Sequence, residues 1–323
     1  MARKPAKVAF VYATTTLNPM QEMAYGSKVA ADASGAKLTL SAPSGVDGPA
    51  EMQLFQSASR TSTDGIAYQT LTPDLFVRPL KTTKESGVPL VAVDTPPPAG
   101  SGVDLYVGSS DVEIGMALAK KFLEKIPVGA TGEVVIGNAI PGLVILDLRA
   151  KGITEAFAKE RPGLKVLAPF NSQAEPTANY NAWSAAVKAH PNAVAYLGTG
   201  AQDAVSLATI QSKSNLNLLA GGVDLDPAAL QGLKDGKIFA IVSPEHWLKG
   251  YVAMALLIQA VSSGKPLPTG WFDTGFLTVD SNNVDAITAR QVDEKSRSTW
   301  FAPHVQDLLD NQATHLRPMS GLG

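Results

Sequence analysis

The sequence predicts an α/β protein made of two Rossmann-like lobes, each built on a doubly wound parallel sheet. Strand-like and helix-like patterns alternate along most of the chain, which is typical of βαβ units. Two apolar strands end in an acid, one at Asp94 and the other at Asp224. The 323 residues also exceed one ordinary core and suit two domains of roughly 150 residues each.

Short runs rich in β-branched residues, bounded by Gly or Pro, predict the strands. They cover residues 7–13, 37–41, 65–71, 89–94 and 104–108, and then residues 133–137, 165–168, 193–197, 216–223 and 238–243. Helical patterns are predicted at residues 21–33, 52–62, 73–86, 147–159, 180–188, 203–213 and 227–234. Because helices connect strands of one direction, we expect two parallel sheets in succession.

Other segments predict local structure outside this alternation. Residues 251–261 are the most apolar stretch but fall short of the roughly 20 residues that cross a bilayer, so we expect a buried helix of the amino-terminal lobe. Residues 96–102 contain three consecutive prolines and predict a turn. After Asp280 we expect a turn and a short helix, and the last ten residues predict a loose tail.

Composition argues against several function classes. The chain has 27 Lys and Arg against 29 Asp and Glu, so it lacks a basic field for nucleic acid or an anionic membrane. It has no Cys, and its four His lack the i, i+4 spacing of a helical metal site. We therefore predict no nucleic-acid partner, no metal and no cofactor, and a small neutral ligand.

The sequence shows no catalytic motif, such as a Gly-x-Ser-x-Gly elbow or a phosphate-binding Gly-x-x-x-x-Gly-Lys. Gly198 and Gly200 follow a predicted strand and imitate a dinucleotide fingerprint, with Asp224 standing 24 residues after Gly200. The third glycine of that motif is replaced by Asp203, whose carboxylate would oppose a pyrophosphate. We predict a protein that is not an enzyme, with an NAD-dependent enzyme as a minor alternative.

Polar residues follow the predicted strands, at the edge where open α/β sheets bind ligands. Thr15 and Asn18 offer a hydroxyl and an amide after the first strand; the alternative is that Asn18 caps a helix with Pro19 at its first position. Asp94 and Asp224 can each accept hydrogen bonds from vicinal hydroxyls. Their alternative role is to form a turn or a cap.

Two of the four tryptophans stand near these elements. Trp183 lies within a predicted helix and is expected in the core. Trp247, preceded by His246, follows a strand end and is a candidate to cover a sugar ring.

Several short stretches occur in a fixed order along the chain. They are Val-Ala-Phe-Val-Tyr at 8–12, Asn-Pro at 18–19, Val-Pro-Leu-Val-Ala-Val-Asp at 88–94, Tyr-Val-Gly-Ser-Ser-Asp-Val-Glu-Ile-Gly at 106–115, Arg-Ala-Lys-Gly at 149–152, Ala-His-Pro at 189–191, Gly-Val-Asp at 222–224 and Gly-Tyr at 250–251. From about residue 7 to residue 275, this ordered set resembles the type I periplasmic sugar-binding proteins, the ribose-binding-protein-like receptors of ABC transporters.

The resemblance implies two lobes joined by three hinge crossovers, near residues 109, 243 and 274, with a ligand cleft between the lobes. The amino-terminal lobe would comprise residues 7–109 and 244–273. The carboxyl-terminal lobe would comprise residues 110–243 and 274–323, including an extended tail.

The resemblance also implies ligand-binding positions. The family's positions fall on Asn18, Met20, Gln21, Asp94, Thr95, Asp147, Ala174, Gly200, Asp224 and Pro244. Together with the residues singled out above, the predicted ligand-binding residues are Thr15, Asn18, Met20, Gln21, Asp94, Thr95, Asp147, Gly200, Asp224, His246 and Trp247.

Several of these positions depart from a pentose receptor. Met20 and Gln21 replace an aromatic pair that would sandwich a sugar ring, and a third aromatic falls on Ala174. Thr95 and Asp147 replace two arginines. Because stacking faces are lost while acids are kept, a flexible polyol fits better than a flat ring.

The resemblance implies the solute-binding protein of an ABC importer, which closes over a small neutral polyol or monosaccharide and delivers it to permease subunits. We expect a monomer in the periplasm or on a lipid anchor, although the first residues show no signal peptide.

Two alternatives share the fold. Autoinducer-2 receptors also place acids at the positions of Asp94 and Asp147, but they use a Lys in the first loop where this chain has threonines. The effector-binding core of a sugar-responsive repressor would need a helix-turn-helix head of roughly 60 residues, whereas strand-like residues begin near residue 8.

Overall fold

The computed structural model describes residues 4–62 and 64–322. Its strands are β1 (Lys7–Val11), β2 (Lys37–Ser41), β3 (Gly65–Tyr68), β4 (Leu90–Val93), β5 (Leu105–Gly108), β6 (Gly132–Asn138), β7 (Leu164–Val166), β8 (Phe170–Asn171), β9 (Ala195–Gly198), β10 (Ala220–Val223), β11 (Ala240–Ser243), β12 (Gly270–Asp273), β13 (Leu277–Val279) and β14 (Leu316–Arg317). Its α-helices are α1 (Asn18–Ser34), α2 (Gly48–Thr61), α3 (Val77–Glu85), α4 (Asp111–Leu123), α5 (Val144–Glu160), α6 (Pro176–Ala189), α7 (Ala201–Ser214), α8 (Pro227–Lys234), α9 (His246–Ser263), α10 (Val284–Arg290), α11 (Glu294–Asp310) and α12 (Gln312–His315).

The chain divides into two compact units. Among the described residues, unit 1 comprises 4–109, 245–275 and 293–322, and unit 2 comprises 110–244 and 276–292. Within residues 4–62 and 64–322 the chain therefore passes between the units four times, after Ser109, Pro244, Gly275 and Val292. The fourth passage adds to the three crossovers that the sequence predicts.

Each unit contains one sheet. In unit 1 the strand order is β14-β12-β5-β4-β3-β1-β2, and in unit 2 it is β13-β11-β10-β9-β6-β7, with β8 also paired to β6. Neighbouring strands run parallel except at one edge of each sheet, where β14 pairs antiparallel with β12 and β13 pairs antiparallel with β11. The predicted fold class, two α/β lobes with doubly wound parallel sheets, is confirmed with these antiparallel edges added.

The central strands are buried on both faces, as expected for parallel sheets. On one face of the unit 1 sheet, the rings of Phe55, Tyr68 and Phe76 pack together with centroid distances of 5.7–6.3 Å. In unit 2, α4 and α5 cover one face of the sheet around Phe122 and Phe157, both fully buried. The expected core residue Trp183 lies with Tyr196 on the other face.

A close helix pair supports each sheet, and glycines allow the close approach. A Cβ atom added to Gly26 of α1 would lie 2.0 Å from the carbonyl oxygen of Trp247 in α9, and one added to Gly250 would lie 2.0 Å from that of Met23. In unit 2, a Cβ atom added to Gly115 of α4 would lie 2.0 Å from the carbonyl oxygen of Arg149 in α5. These contacts fix the first turns of α9 and α5 beside their sheets.

The carboxyl-terminal segment differs from its prediction. Residues 293–322 pack in unit 1, although the sequence places them in the carboxyl-terminal lobe. The predicted loose tail includes β14, in which Leu316 and Arg317 pair with β12, and Arg317 forms an ion pair of 2.6 Å with Asp273. A strand of two residues is too short to show an alternating apolar pattern, so the sequence does not predict it. It forms where the segment pairs with the edge strand β12.

Three helices, α4, α11 and α12, lack a prediction at the sequence level. The residues of α4 follow a predicted strand without a helical assignment, and in α11 Pro303 interrupts the pattern, with Phe301 and Leu308 as the buried residues. The four residues of α12 lie partly in the predicted loose tail. No helix among the described residues is both long and apolar enough to span a membrane.

Candidate functional site

Asp94 stands directly after β4, at the carboxyl edge of the unit 1 sheet. Its φ of 63° lies in the left-handed region, which is uncommon for a residue other than glycine. Its N–H donates to the carbonyl oxygen of Val107 at 2.9 Å, and its own carbonyl oxygen accepts from the Tyr106 hydroxyl at 2.7 Å. These bonds to β5 hold the backbone and fix the direction of the carboxylate.

The Asp94 carboxylate has basic partners from α9. Lys249 Nζ lies 2.5 Å from Asp94 Oδ1, and His246 Nδ1 lies 3.4 Å from the same oxygen. The three side chains are only 1–6% exposed. The structure thus brings together Asp94 and His246, two predicted site residues, and adds Lys249, which the sequence reasoning missed. A lysine inside an otherwise apolar helix was the available signal.

The loop between β1 and α1 carries the next predicted group. The Thr15 N–H donates to the carbonyl oxygen of Pro43 at 3.0 Å, and Gln21 Nε2 donates to the carbonyl oxygen of Thr15 at 2.8 Å. The N-cap position of α1 is Leu17 rather than Asn18, so the alternative role of Asn18 as a helix cap is wrong. Met20 is 4% exposed and packs in the core.

Two buried donors at this edge have no partner within the described residues. Gln69 follows β3, and its Oε1 accepts from the Ala13 N–H at 3.2 Å, whereas its Nε2 atom has no partner among residues 4–62 and 64–322. Thr95 follows Asp94, and its hydroxyl likewise lacks a partner in that part of the chain. Both side chains are at most 1% exposed.

Unit 2 repeats the arrangement around Asp224. This residue follows β10 with a φ of 79°, and its N–H donates to the carbonyl oxygen of Val242 at 3.0 Å. Arg149 of α5 lies 3.8 Å from the Asp224 carboxylate, and its Nε donates to Asp111 at 2.8 Å. Both predicted acids therefore stand beside a buried base of their own unit.

Asp147 occupies a more open position in unit 2. Its Oδ1 accepts from Asn138 Nδ2 at 2.7 Å and from the Gly142 N–H at 3.3 Å. Together with Lys151 it lines a surface cavity of about 500 Å³. Arg149 points to Asp111 rather than to Asp147, as the two-residue offset on one helix predicts.

The glycine-rich segment before α7 has a structural role. Asp203 is fully buried and accepts from Asn179 Nδ2 and Trp183 Nε1, both at 2.7 Å. It also accepts from the Gly200 N–H at 2.8 Å, so the predicted site residue Gly200 forms part of the cap of α7. Burial raises the pKa of the Asp203 carboxyl, and the hydrogen bonds oppose that rise. This carboxylate holds the turn where a dinucleotide motif would need a third glycine.

Trp247 differs from its predicted role of covering a ligand ring. It is 2% exposed, and its ring stacks on Phe301 of α11 at 5.0 Å and on Tyr251 at 5.2 Å. Its Nε1 donates to Glu294 Oε1 at 2.8 Å. Because both ring faces are occupied, Trp247 joins α9 to α11 instead of facing a ligand. No sequence pattern predicts α11.

The arrangement of the acidic and histidine side chains bears on whether a metal ion could bind. Within the ranges 4–62 and 64–322, no group of three or more His, Asp or Glu side chains is arranged to hold a metal ion. The acids at the strand ends are instead paired with Lys249 and Arg149.

The two α/β units with parallel sheets have the architecture of the periplasmic binding proteins. The profile of the periplasmic binding protein domain matches residues 8–266, and the chain belongs to this family. The resemblance to the type I class that the sequence motifs indicated is thereby confirmed.

Individual relatives agree with that assignment. The chain is 27% identical over 237 residues to the D-allose-binding periplasmic protein of Escherichia coli, covering 70% of this chain and 75% of the relative. It is 22% identical to the xylose/arabinose-binding protein XylF of Sulfolobus acidocaldarius, covering 71% of this chain and 60% of that protein.

Solved structures show the same fold. A solute-binding protein of an ABC transporter from Burkholderia graminis, solved in complex with D-arabinose, superposes with a TM-score of 0.80 at 25% identity, covering 87% of this chain and 98% of that one. The glucose-galactose-binding protein GanP of Geobacillus stearothermophilus superposes with a TM-score of 0.77 at 22% identity, covering 87% and 99% of the two chains.

Proposed function

We propose that the protein is the solute-binding component of an ABC importer and that its ligand is a small sugar or polyol. The observation that carries the proposal is the repeated strand-end acid, Asp94 in unit 1 and Asp224 in unit 2, each held in a left-handed backbone conformation. A buried carboxylate in a fixed position suits the recognition of ligand hydroxyls. The relatives support the same class, since those named above are described as binding allose, xylose, arabinose, glucose or galactose.

The remaining parts of the proposal follow from the family. The ligand would be captured by closure of the two lobes and passed to permease subunits, and the protein would act as a monomer in the periplasm or on a lipid anchor. Closure predicts a smaller radius of gyration by small-angle X-ray scattering when ligand is added.

An autoinducer-2-like ligand has one observation in its favour. The receptors of that kind place a Lys in the first loop, and this chain places the ammonium group of Lys249 beside Asp94 from a different helix. Autoinducer-2 is therefore included in the ligand screen.

A thermal-shift screen over pentoses, hexoses, alditols, autoinducer-2, sugar phosphates, NAD and spermidine tests the proposal. A ligand at 100 times its Kd adds about 2.7 kcal/mol of stability and raises the melting temperature by several degrees. The proposal fails if every sugar, polyol and sugar derivative leaves the melting temperature unchanged while NAD or spermidine raises it.

Calorimetry on Asp94→Asn then tests the site. The substitution removes a charged acceptor and should weaken the best ligand by roughly 5- to 150-fold. Asp32→Asn, on the exposed face of α1, is the matched control and should bind as the parent protein does. Equal affinities for the parent protein and Asp94→Asn would remove Asp94 from the site.

A further inference from the structure

Lys249 has more hydrogen-bond donors than the acceptors of the protein around it occupy. Its side chain is 1% exposed, and its ammonium group donates to Asp94 Oδ1 at 2.5 Å. An ammonium group carries three N–H donors. Among residues 4–62 and 64–322, Asp94 is the single acceptor that Lys249 reaches, so two of its donors stay without a partner.

Two further donors lie at the same edge of the unit 1 sheet. Gln69 Nε2 and the Thr95 hydroxyl are buried without a partner in the described ranges, as noted above. They follow the adjacent strands β3 and β4, in which Tyr68 pairs with Ala92. A buried donor without an acceptor costs about 1–3 kcal/mol. Three residues with unused donors at one strand edge therefore indicate an acceptor that the protein itself does not supply.

We propose that Lys249, Gln69 and Thr95 form an acceptor-binding subsite for the carboxylate of a polyhydroxylated acid. The proposal rests on the function proposed above and narrows its ligand to a sugar acid. A carboxylate only accepts hydrogen bonds and offers about four lone-pair directions. A ligand hydroxyl is a donor as well as an acceptor, so its proton would need a protein acceptor in addition to Asp94.

The charges near Lys249 also fit an acid. The sequence predicts a neutral ligand, whereas Lys249 Nζ stands 2.5 Å from Asp94 Oδ1 and offsets the charge of that carboxylate, so an anionic ligand is not opposed there. His246 Nδ1 stands 3.4 Å from the same carboxylate.

Calorimetry with matched compounds tests this subsite. Each series compares an alditol, an aldose and an aldonate of one configuration, namely ribitol, D-ribose and D-ribonate, and D-glucitol, D-glucose and D-gluconate. In at least one series the aldonate should bind about tenfold or more tightly than the alditol and the aldose. Lys249→Met should remove this preference, whereas Lys120→Met, at an exposed position of α4, should keep it.

Two further variants keep the test decisive if Lys249→Met does not fold. The double variant Lys249→Met/Asp94→Asn removes both charges, and Thr95→Val removes one donor without a change of volume. Thr95→Val should weaken the aldonate about 3- to 10-fold and leave the alditol within about twofold.

The outcomes separate the subsite from the function. If an alditol or aldose binds as tightly as the aldonate, or if Thr95→Val weakens all three equally, the acid-binding subsite is wrong while sugar binding stands. If no compound of either series or of the wider sugar screen binds, the proposed function itself is wrong.

Discussion

Asp94 and Asp224 show how one residue can set the geometry of a strand end. Both adopt a left-handed φ, and both donate their N–H to the strand beside them, at 2.9 and 3.0 Å. The turn points each carboxylate away from the sheet ladder toward a base on a helix of the same unit. A residue with a longer or β-branched side chain would be strained at this φ.

Glu51 is a buried carboxyl group of unit 1 that stands apart from the candidate site. Its side chain, in the first turn of α2, is 1% exposed and accepts from the Thr70 hydroxyl at 3.0 Å. Burial raises the pKa of the Glu51 carboxyl to about 8, and the bond from Thr70 opposes that rise. At neutral pH the folded protein therefore holds a proton that the unfolded chain releases.

We predict that this proton makes stability fall as the pH rises. Between the ordinary carboxyl pKa of 4.5 and the folded pKa of about 8, the unfolded state binds fewer protons, so the free energy of unfolding decreases. The loss should be on the order of 3–5 kcal/mol. Glu51→Gln is neutral at every pH, so its free energy of unfolding should change less with pH. Above pH 8 it should unfold at a higher urea concentration than the parent protein.

Urea unfolding at pH 5, 7 and 9 measures this effect. Glu85→Gln, at an exposed position in α3, is the control and should retain the slope of the parent protein. Parallel profiles for the parent protein and Glu51→Gln would show that Glu51 is ionised in the folded state.

At the scale of elements, the helix pair α1–α9 connects the core to the candidate site. The pair crosses at Gly26 and Gly250, and the next residue toward the start of α9 is Lys249. On the outer side, Arg297 of α11 forms an ion pair of 3.0 Å with Glu22 of α1, while Trp247 of α9 contacts Glu294 and Phe301. Three helices thus fix the position from which Lys249 reaches Asp94.

We predict that Gly250→Ala destabilises the protein despite the better helix propensity of alanine. Propensity alone would favour alanine by about 1 kcal/mol. The new Cβ atom would lie 2.0 Å from a backbone oxygen of Met23, so α1 and α9 must separate. We expect a loss of at least about 2 kcal/mol, together with weaker ligand binding because Lys249 shifts.

Thermal unfolding compares Gly250→Ala with Gly45→Ala. Gly45 has open space around its Cβ position, so its substitution should change the melting temperature little. A Gly250→Ala protein as stable as the parent would mean that the two helices tolerate a wider spacing than the glycines indicate.

At the scale of the whole molecule, neither unit is contiguous in sequence. Unit 1 needs residues 245–275 and 293–322 in addition to 4–109. Its sheet receives β12 and β14 from the later segments, and α9 covers β3, β4 and β5. The amino-terminal third of the chain therefore contains only part of a core.

We predict that a fragment of residues 1–109 does not unfold cooperatively by itself, because α9 and β12 are missing. Mixing it with a fragment of residues 245–323 should restore a cooperative transition in circular dichroism. The first fragment contains no tryptophan, so fluorescence reports on Trp247, Trp271 and Trp300 of the second. Burial of Trp247 and Trp271 should shift the emission to shorter wavelength when the two fragments combine.

Each fragment measured separately provides the control for this experiment. A cooperative transition for residues 1–109 alone would show that the early strands form a sufficient core. An unchanged emission after mixing would show that the two segments do not assemble without their covalent connections.

The sequence by itself determined the α/β class, most of the central strands and the two acids that end them. These features depend on local periodicity and on residues adjacent in the chain, such as Val93 and Asp94, so a pattern within a few residues is enough. The fully buried core position of Trp183 was predicted in the same way.

Only the tertiary structure decided which groups meet these acids. Lys249 stands 155 residues after Asp94, and Arg149 stands 38 residues after Asp111, so no local pattern pairs them. The same holds for β14 on β12 and for Phe301 on Trp247. Such contacts arise when packing brings distant segments together, and burial then requires that each charge find a partner.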